Sequence, residues 1–266
     1  MTPGRSYSEL VRRDRVVVVA AIAILASLAW VYTAELAVGM GSAGMSTMAV
    51  SAAMPSTQFW GLEDVVFMFV MWSVMMVAMM LPSVTPMVLL FTGVMRKRAS
   101  DGRPLVSTAF FVVGYLLVWV GFSAVATFAN WGLHSGGFLS SMMGRTTPMV
   151  GGGVLLLAGA FQWTQLKDAC LSHCRSPLAF LASGWREGRR GTLMMGLHHG
   201  LYCLGCCWLL MALLFVLGIM NLPWIVGLTV FVLLEKVSPR GRLVSRVSGV
   251  MFAVWGMALL VSGVGR

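Results

Sequence analysis

The sequence predicts an all-α fold: a polytopic transmembrane helix bundle of about seven helices, in one domain covering residues 1–266. Three observations predict it. Apolar residues make up 58% of the chain and charged residues 11%, with a mean hydropathy of +0.86. Uncharged stretches recur at lengths close to the roughly 20 residues that a membrane-spanning helix needs. The basic residues lie mainly after every second stretch, as a fixed membrane orientation requires.

Seven uncharged stretches are the candidate spans: 16–34, 65–95, 105–133, 149–166, 191–220, 222–234 and 247–265. The sixth is short, so we expect it to begin earlier or to cross obliquely, and six helices are the fallback. The first stretch follows a basic segment, as in a signal peptide. However, Trp30-Val31-Tyr32 stands where a small-residue cleavage site is expected, which predicts a retained signal-anchor helix.

The net charge of +10 is explained by membrane topology. All basic residues except Arg145 and Arg266 lie in the tail 1–15 or in the segments 96–103, 167–190 and 236–246. Seven spans place these four segments on one side of the membrane. The positive-inside rule then predicts a multi-pass protein of an inner (plasma) membrane with a cytoplasmic N-terminus. Attraction to anionic membrane lipid accounts for the charge, and we expect no nucleic-acid partner.

Two connecting segments carry metal-ligand residue types. The longest predicted outer loop, 35–63, contains four methionines: Met40, Met45, Met48 and Met54. The segment 167–190 is predicted to be a cytoplasmic loop containing Cys170, His173 and Cys174. These three residues share a face if the segment is helical, and they can chelate one ion if it is a loop. Their spacing matches neither a zinc finger nor a haem-attachment motif.

The fifth span contains His198, His199, Cys203, Cys206 and Cys207 within ten residues. At about 100° per residue, the side chains of 199, 203 and 206 form one narrow stripe, with 207 on its flank and 198 turned away by about 100°. The stripe lies near the middle of a roughly 30 Å core. Thiols and imidazoles are costly to bury in hydrocarbon without partners, and both are metal ligands. The stripe therefore predicts a metal site, although helix packing alone is the alternative explanation.

Two further features extend this hypothesis. Met71, Met75 and Met79 recur at helical spacing, and methionine thioethers bind Cu(I) better than Zn(II); filling of irregular helix contacts is the alternative. Glu235 is close in predicted depth to the cytoplasmic cysteines, and it either joins them or pairs with Lys236 or Lys167. Copper, as Cu(I), is therefore the expected ion, with zinc or iron as alternatives.

Much of the chain, about 67–261, also carries blocks that match a known family. The blocks are 71–72, 78–82, 114–119, 158–167, 170–177, 199–208, 220–222 and 235–236. They resemble an uncharacterised bacterial family of predicted metal-binding integral membrane proteins, a domain of unknown function. The resemblance implies a membrane fold and a metal, but no particular reaction. Two positions depart from it: Gln165 stands where a proline is expected, and His198 is an additional imidazole.

The leading hypothesis is a membrane protein that transports Cu(I) or delivers it to a metallochaperone or a copper enzyme. Outer methionines, the Cys/His stripe and the cytoplasmic cysteines would form a graded series of soft ligands. A metal-dependent oxidoreductase or monooxygenase is the second hypothesis, with Gln162, Gln165 and Asp168 beside the metal. Thiol–disulfide exchange through Cys203 and Cys206 is the third, and a scaffold subunit the fourth. Whether the protein is an enzyme stays open at this point.

Overall fold

The computed structural model of the chain describes residues 3–47, 61–98, 104–140 and 145–264. Almost all of them are helical, apart from connections and one pair of two-residue strands. The elements are α1 (Pro3–Thr47), α2 (Leu62–Arg98), α3 (Pro104–Ser135), β1 (Leu139–Ser140), β2 (Arg145–Thr146), α4 (Pro148–Phe161), α5 (Gln165–Arg175), α6 (Pro177–Ser183), α7 (Gly188–Ala212), α8 (Leu214–Leu217), α9 (Leu222–Val237) and α10 (Gly241–Val264).

Five helices in the described part of the chain are long and apolar enough to cross a membrane: α1, α2, α3, α7 with α8, and α10. The pair α4 and α5 brings the number to six if it is one span bent by 65°. The all-helical, multi-pass fold is confirmed, but seven spans are not. The predicted sixth span is α9, and its 16 residues reach only about 24 Å at 1.5 Å per residue, short of a 30 Å core.

Three segments predicted as tail or loop are helical where they are described. α1 begins at Pro3 and continues to Thr47, so it takes in most of the tail 1–15 and the first part of the loop 35–63. Residues 48–60 of that loop lie outside the described residues. The segment 167–190 forms most of α5, all of α6 and the start of α7. The sidedness of these segments stays a prediction.

The residues that begin or end several helices gather at one end of the bundle. Arg96 near the end of α2 forms an ion pair with Asp14 of α1. Arg98 lies over the ring of Trp185, 4.8 Å from its centroid. Parts of the tail and of the segments 96–103 and 167–190 therefore share one end, as the charge pattern predicts.

Glycines bring α3 and α7 together as parallel neighbours. A Cβ on Gly196 would collide with the Phe111 carbonyl group, and one on Gly200 would lie 3.1 Å from the Tyr115 carbonyl oxygen. The second contact lies four residues after the first on both helices, so α3 and α7 run in the same direction. Small residues of this kind let helix backbones approach closely, and the approach sets Tyr115 opposite the Cys/His part of α7.

A second close contact joins α4 and α10, which run antiparallel. A Cβ on Gly152 would lie 2.9 Å from the Gly256 carbonyl oxygen, and one on Gly159 would lie 2.8 Å from that of Gly249. The glycine-rich start of α4 predicts this packing. Gly153 is different, since nothing lies within 4 Å of a Cβ built there.

Helix α5 leaves the direction of α4 at a short break. The backbone turns through Gln162 and Trp163, and the Thr164 side chain caps α5 by accepting a hydrogen bond from the Lys167 backbone N–H at 3.3 Å. A capping hydroxyl of this kind favours a new helix start. At the other end, Pro177 begins α6. The bend carries α5 across to α7, where the predicted metal-binding residues lie.

Candidate metal centre

The predicted stripe on α7 is buried in the structure. The exposed fraction is 4% for His199 and 1% each for Cys203, Cys206 and Cys207. α7 forms because this stretch is rich in helix-compatible apolar residues, and its buried face is the face with the glycines that contact α3. The helical periodicity therefore correctly predicts which side chains turn inward.

Helix α5 brings the second cysteine motif to the same place. The Cys174 thiol is close enough to those of Cys203 and Cys206 for the groups to interact. Cys170 packs over Gly205, where an added Cβ would lie 2.7 Å from its sulfur. The sequence predicts the two motifs at different depths, as steps of a series. The structure instead joins them in one group, here called the thiol cluster: Cys170, Cys174, Cys203, Cys206 and Cys207.

Cys203 is the best-connected member of the thiol cluster. Its sulfur lies 3.1 Å from the Tyr115 hydroxyl oxygen and 2.9 Å from Lys236 Nζ. Its carbonyl oxygen accepts hydrogen bonds from the Cys206 and Cys207 thiols at 3.1 and 3.0 Å. Cys203 thus links α7 to α3 and α9. All five thiols are free rather than disulfide-bonded.

Lys236 is a functional candidate that sequence reasoning missed. Besides the Cys203 sulfur, its Nζ donates to the Ser83 hydroxyl of α2 at 3.0 Å. The sequence suggests Lys236 only as a partner for the adjacent Glu235. Neighbouring side chains on a helix point about 100° apart, so two adjacent charges on an otherwise apolar helix indicate two separate contacts. That spacing is the signal that could have identified it.

His199 lies in an aromatic pocket beside the thiol cluster. Its ring centroid is 5.9 Å from that of Phe111, 6.0 Å from Tyr115 and 5.3 Å from Phe180. Its Nδ1 is buried without a hydrogen-bond partner in the described chain. An unpartnered buried nitrogen costs free energy, and it fits a group that is completed by a ligand.

The other two histidines are placed differently. His198 is exposed on the outside of α7, away from the thiol cluster. His173 is also exposed; its ring stacks on that of Tyr202 at 4.2 Å between centroids, and its Nδ1 lies 2.9 Å from the Ala169 carbonyl oxygen. The structure therefore does not bring His198 to the sulfur atoms, and it holds His173 at their edge.

Glu235 does not face the thiols; it lies in a separate buried polar network. Both carboxylate oxygens are 2.9 Å from Lys167 Nζ, and one accepts from Ser245 at 2.8 Å. Gln162 Nε2 donates to Glu235 at 3.3 Å, and the Gln162 side-chain oxygen accepts from Lys167. In the structure, Glu235 therefore pairs with Lys167. To bind a metal, it would have to give up these hydrogen bonds.

The remaining predicted residues lie around these two groups. Met71, Met75 and Met79 are buried in the apolar core that also contains the buried cysteines. Of the residues proposed to lie beside a catalytic metal, Gln162 is in the Glu235 network and Gln165 is exposed. Asp168 faces Arg242 at 4.0 Å near the surface. The side chains of Met40, Met45, Met48 and Met54 lie outside the described residues.

No three His, Cys, Asp or Glu side chains in the described ranges already form a metal-binding group. The Cys206 and Cys207 sulfur atoms point to a carbonyl oxygen rather than to a common centre. Metal binding would require thiol rotation about χ1, which moves a side chain between staggered rotamers. The thiol and imidazole groups suit a soft ion, but the observed cysteine rotamers are those of a hydrogen-bonded cluster.

Comparison with known proteins connects this arrangement to copper. Residues 69–259 match the model of a family described as PpoB2, copper chaperone. No curated protein and no solved structure matches the chain. The matched region includes all five cysteines, His199 and Lys236, and it narrows the resemblance seen in the sequence blocks to a copper-related family. Because the match covers most of the chain, the protein belongs to the PpoB2 copper chaperone family.

Proposed function

We propose that the protein binds Cu(I) in the thiol cluster and delivers it to a copper enzyme or a metallochaperone. The observation that carries the proposal is the contact of the α5 cysteine motif with α7: Cys170 lies over Gly205, and Cys174 is near Cys203 and Cys206. Two cysteine motifs that are separated in sequence and lie on different helices thus form one group, buried at Cys203, Cys206 and Cys207 and partly buried at Cys170 and Cys174. A purely apolar packing role requires no such convergence.

The chemistry of the cluster suits a soft monovalent ion. Thiolate sulfur selects Cu(I) among biological metals, and two thiolates suffice to hold it. In the proposal Cys203 and Cys206 hold the ion, and Cys174 accepts it by ligand exchange. More sulfur atoms than one ion needs are expected in a delivery protein, because each exchange replaces one sulfur at a time and never exposes a bare ion.

The neighbouring residues have subsidiary roles in the proposal. Cys207 and Cys170 extend the sulfur-rich surface along α7 and α5, and the unpartnered Nδ1 of His199 serves as an additional nitrogen ligand. Met71, Met75 and Met79 provide weaker thioether contacts on the α2 side. The five or six long apolar helices support a site within a multi-pass membrane protein, and the proposal places this protein in the bacterial plasma membrane.

Copper content of the purified full-length protein tests the proposal. The wild type is expected to retain Cu(I) after loading under reducing conditions and in competition with a Cu(I) chelator. The Cys203→Ser/Cys206→Ser double variant should lose most of this copper, and Cys174→Ser should keep it but exchange it more slowly. Leu201→Ser is the matched control, because it places a hydroxyl on an exposed position of the same helix.

Absence of bound copper in the loaded wild type would refute the proposal. Equal copper content in the wild type and the double variant would also refute it, since the ion would then lie elsewhere. Helix content measured by circular dichroism separates loss of ligands from loss of fold.

Thiol–disulfide exchange is a second candidate, favoured by the closeness of Cys174 to thiols on another helix. It makes a different prediction from copper binding. A mild oxidant would convert two thiols of the cluster to a disulfide that links α5 to α7, and a dithiol would reverse this. Counting free thiols before and after oxidation, with mapping by proteolysis, distinguishes the two functions.

A further inference from the structure

We propose that Lys236 makes the thiol cluster selective for monovalent soft ions over divalent ones. Its ammonium group compensates the net negative charge that two thiolates leave when they hold Cu(I) or Ag(I). The inference rests on the proposed function, since it concerns the ion held by Cys203 and a second thiolate. It assigns a specificity-determining role to a residue that is not itself a metal ligand.

The first observation is the position of the ammonium group. Lys236 Nζ lies 2.9 Å from the Cys203 sulfur, which is 1% exposed. An ammonium group has donors and no acceptor, so the sulfur accepts this hydrogen bond. The second donor contact, to the Ser83 hydroxyl at 3.0 Å, fixes the direction of the side chain. Lys236 thus approaches the cluster from α9.

The second observation is that Lys236 has no carboxylate partner among the described residues. The adjacent Glu235 is held by Lys167 through both carboxylate oxygens, and no carboxylate oxygen in the described part of the chain lies within ion-pair distance of Lys236 Nζ. The other polar side chains here, Tyr115 at Cys203 and Ser83 at Lys236, carry hydroxyl groups rather than carboxylates. The positive charge of Lys236 is therefore available to the sulfur site alone.

Charge addition then distinguishes ions. A monovalent ion with two thiolates carries one unit of negative charge, and Lys236 brings the site to neutrality. A divalent ion with the same two thiolates is already neutral, so Lys236 leaves one unit of positive charge in a nearly dry site. Uncompensated charge is expensive where water is excluded. The same ammonium group therefore stabilises the first complex and opposes the second.

Metal competition on the purified full-length protein tests this inference. Affinities for Cu(I) and Ag(I), and for Cd(II) and Zn(II), are measured in the wild type and in Lys236→Met, Lys236→Gln and Lys236→Arg. Removing the charge is expected to lower the ratio of Ag(I) to Cd(II) affinity roughly 100-fold, because one close charge acts oppositely on the two complexes. Lys236→Arg keeps the charge and should keep the ratio within about threefold. Lys97→Met, an exposed lysine on α2, is the matched control.

Each outcome separates the inference from the proposed function. A wild type that binds neither Cu(I) nor Ag(I) contradicts the proposed function itself. A wild type that binds both, with an unchanged affinity ratio in Lys236→Met and Lys236→Gln, overturns the role of Lys236 and leaves copper binding intact. If neither neutral variant folds, the wild type alone decides: Cd(II) binding as tight as Ag(I) binding would overturn the inference, and a clear preference for Ag(I) would support it.

Discussion

Two lysines in the interior of this protein have different electrostatic partners. Lys167 on α5 has a side chain with 0% exposure and forms an ion pair with Glu235, whose side chain is 2% exposed. Lys236, one residue after Glu235, is bonded instead to a thiol and a hydroxyl. Adjacent positions on α9 thus take part in a closed polar network and in an open sulfur site. The difference indicates that the first region holds the helices together, whereas the second is the region proposed above to accept a cation.

The Lys167 network connects three helices, α5, α9 and α10, with the break between α4 and α5 through complementary donors and acceptors. Besides the ion pair, the Ser245 hydroxyl of α10 donates to Glu235 at 2.8 Å, and Gln162 donates to Ser248 at 3.0 Å. A buried ion pair adds little net stability compared with apolar packing, but removal of one partner is costly because a buried charge is left alone. This asymmetry allows the comparison of the two lysines to be tested.

Glu235→Gln is expected to have the largest effect, a loss of about 3–5 kcal/mol in the free energy of unfolding. The substitution leaves the Lys167 ammonium buried without a negative partner. Adding Lys167→Met should restore most of the loss, because the double variant no longer buries a charge. Unfolding by denaturant in detergent micelles, followed by circular dichroism, measures both effects. If Glu235→Gln alone is as stable as the wild type, then Lys167 needs its carboxylate partner no more than Lys236 does, and the distinction between the two lysines fails.

Tyr115→Phe is expected to have an intermediate effect, about 1 kcal/mol. The lost hydroxyl lies 3.1 Å from the Cys203 sulfur and 3.3 Å from the Met80 carbonyl oxygen, and it is fully buried. No charge is left unpaired, because Lys236 still contacts Cys203. The same unfolding measurement applies. A loss as large as that of Glu235→Gln would show that the sulfur site is as tightly integrated as the ion-pair network.

Asp168→Asn is expected to have the smallest effect, between about 0 and 1 kcal/mol. Its carboxylate lies 4.0 Å from Arg242, and these side chains are 35% and 65% exposed, so water screens the pair. The residue is only one position from Lys167, which makes it a sensitive control for burial. A loss of several kcal/mol on unfolding would contradict the distinction between the buried and the surface ion pair.

The sequence predicts the class of fold and the inward face of α7, because composition and helical periodicity are local properties. Its estimate of seven spans exceeds what helix length supports. The hydropathy pattern does not show that α4 ends at Phe161, and the short sixth stretch does not extend to a full span as expected, since α9 begins at Leu222 and has 16 residues. The Thr164 cap is local, but the bend also depends on the packing of Gln162 and Trp163 against Gly249 of α10, which is a tertiary feature.

The candidate site was predictable in composition but not in assembly. Cys203, Cys206 and Cys207 could be placed on one helix face by counting, whereas the approach of Cys174 depends on the path of α5. The same limitation applies to Glu235 and Lys236. Their sequence shows two charges near a helix end, and only the arrangement of α5, α7 and α9 decides that Glu235 meets Lys167 and that Lys236 meets the Cys203 sulfur.

The 65° bend between α4 and α5 has a consequence for how a bound ion would be released. Helix α5 is short and has a break in the helical backbone at each end, and its cysteine-bearing face packs on the long helix α7. In the proposed function, an ion that passes from Cys203 and Cys206 to Cys174 would join α5 to α7, since a ligand that bridges two segments stabilises their docked arrangement by its own binding free energy. Release of the ion would remove this link, so that metal release and loosening of α5 from α7 would be one event.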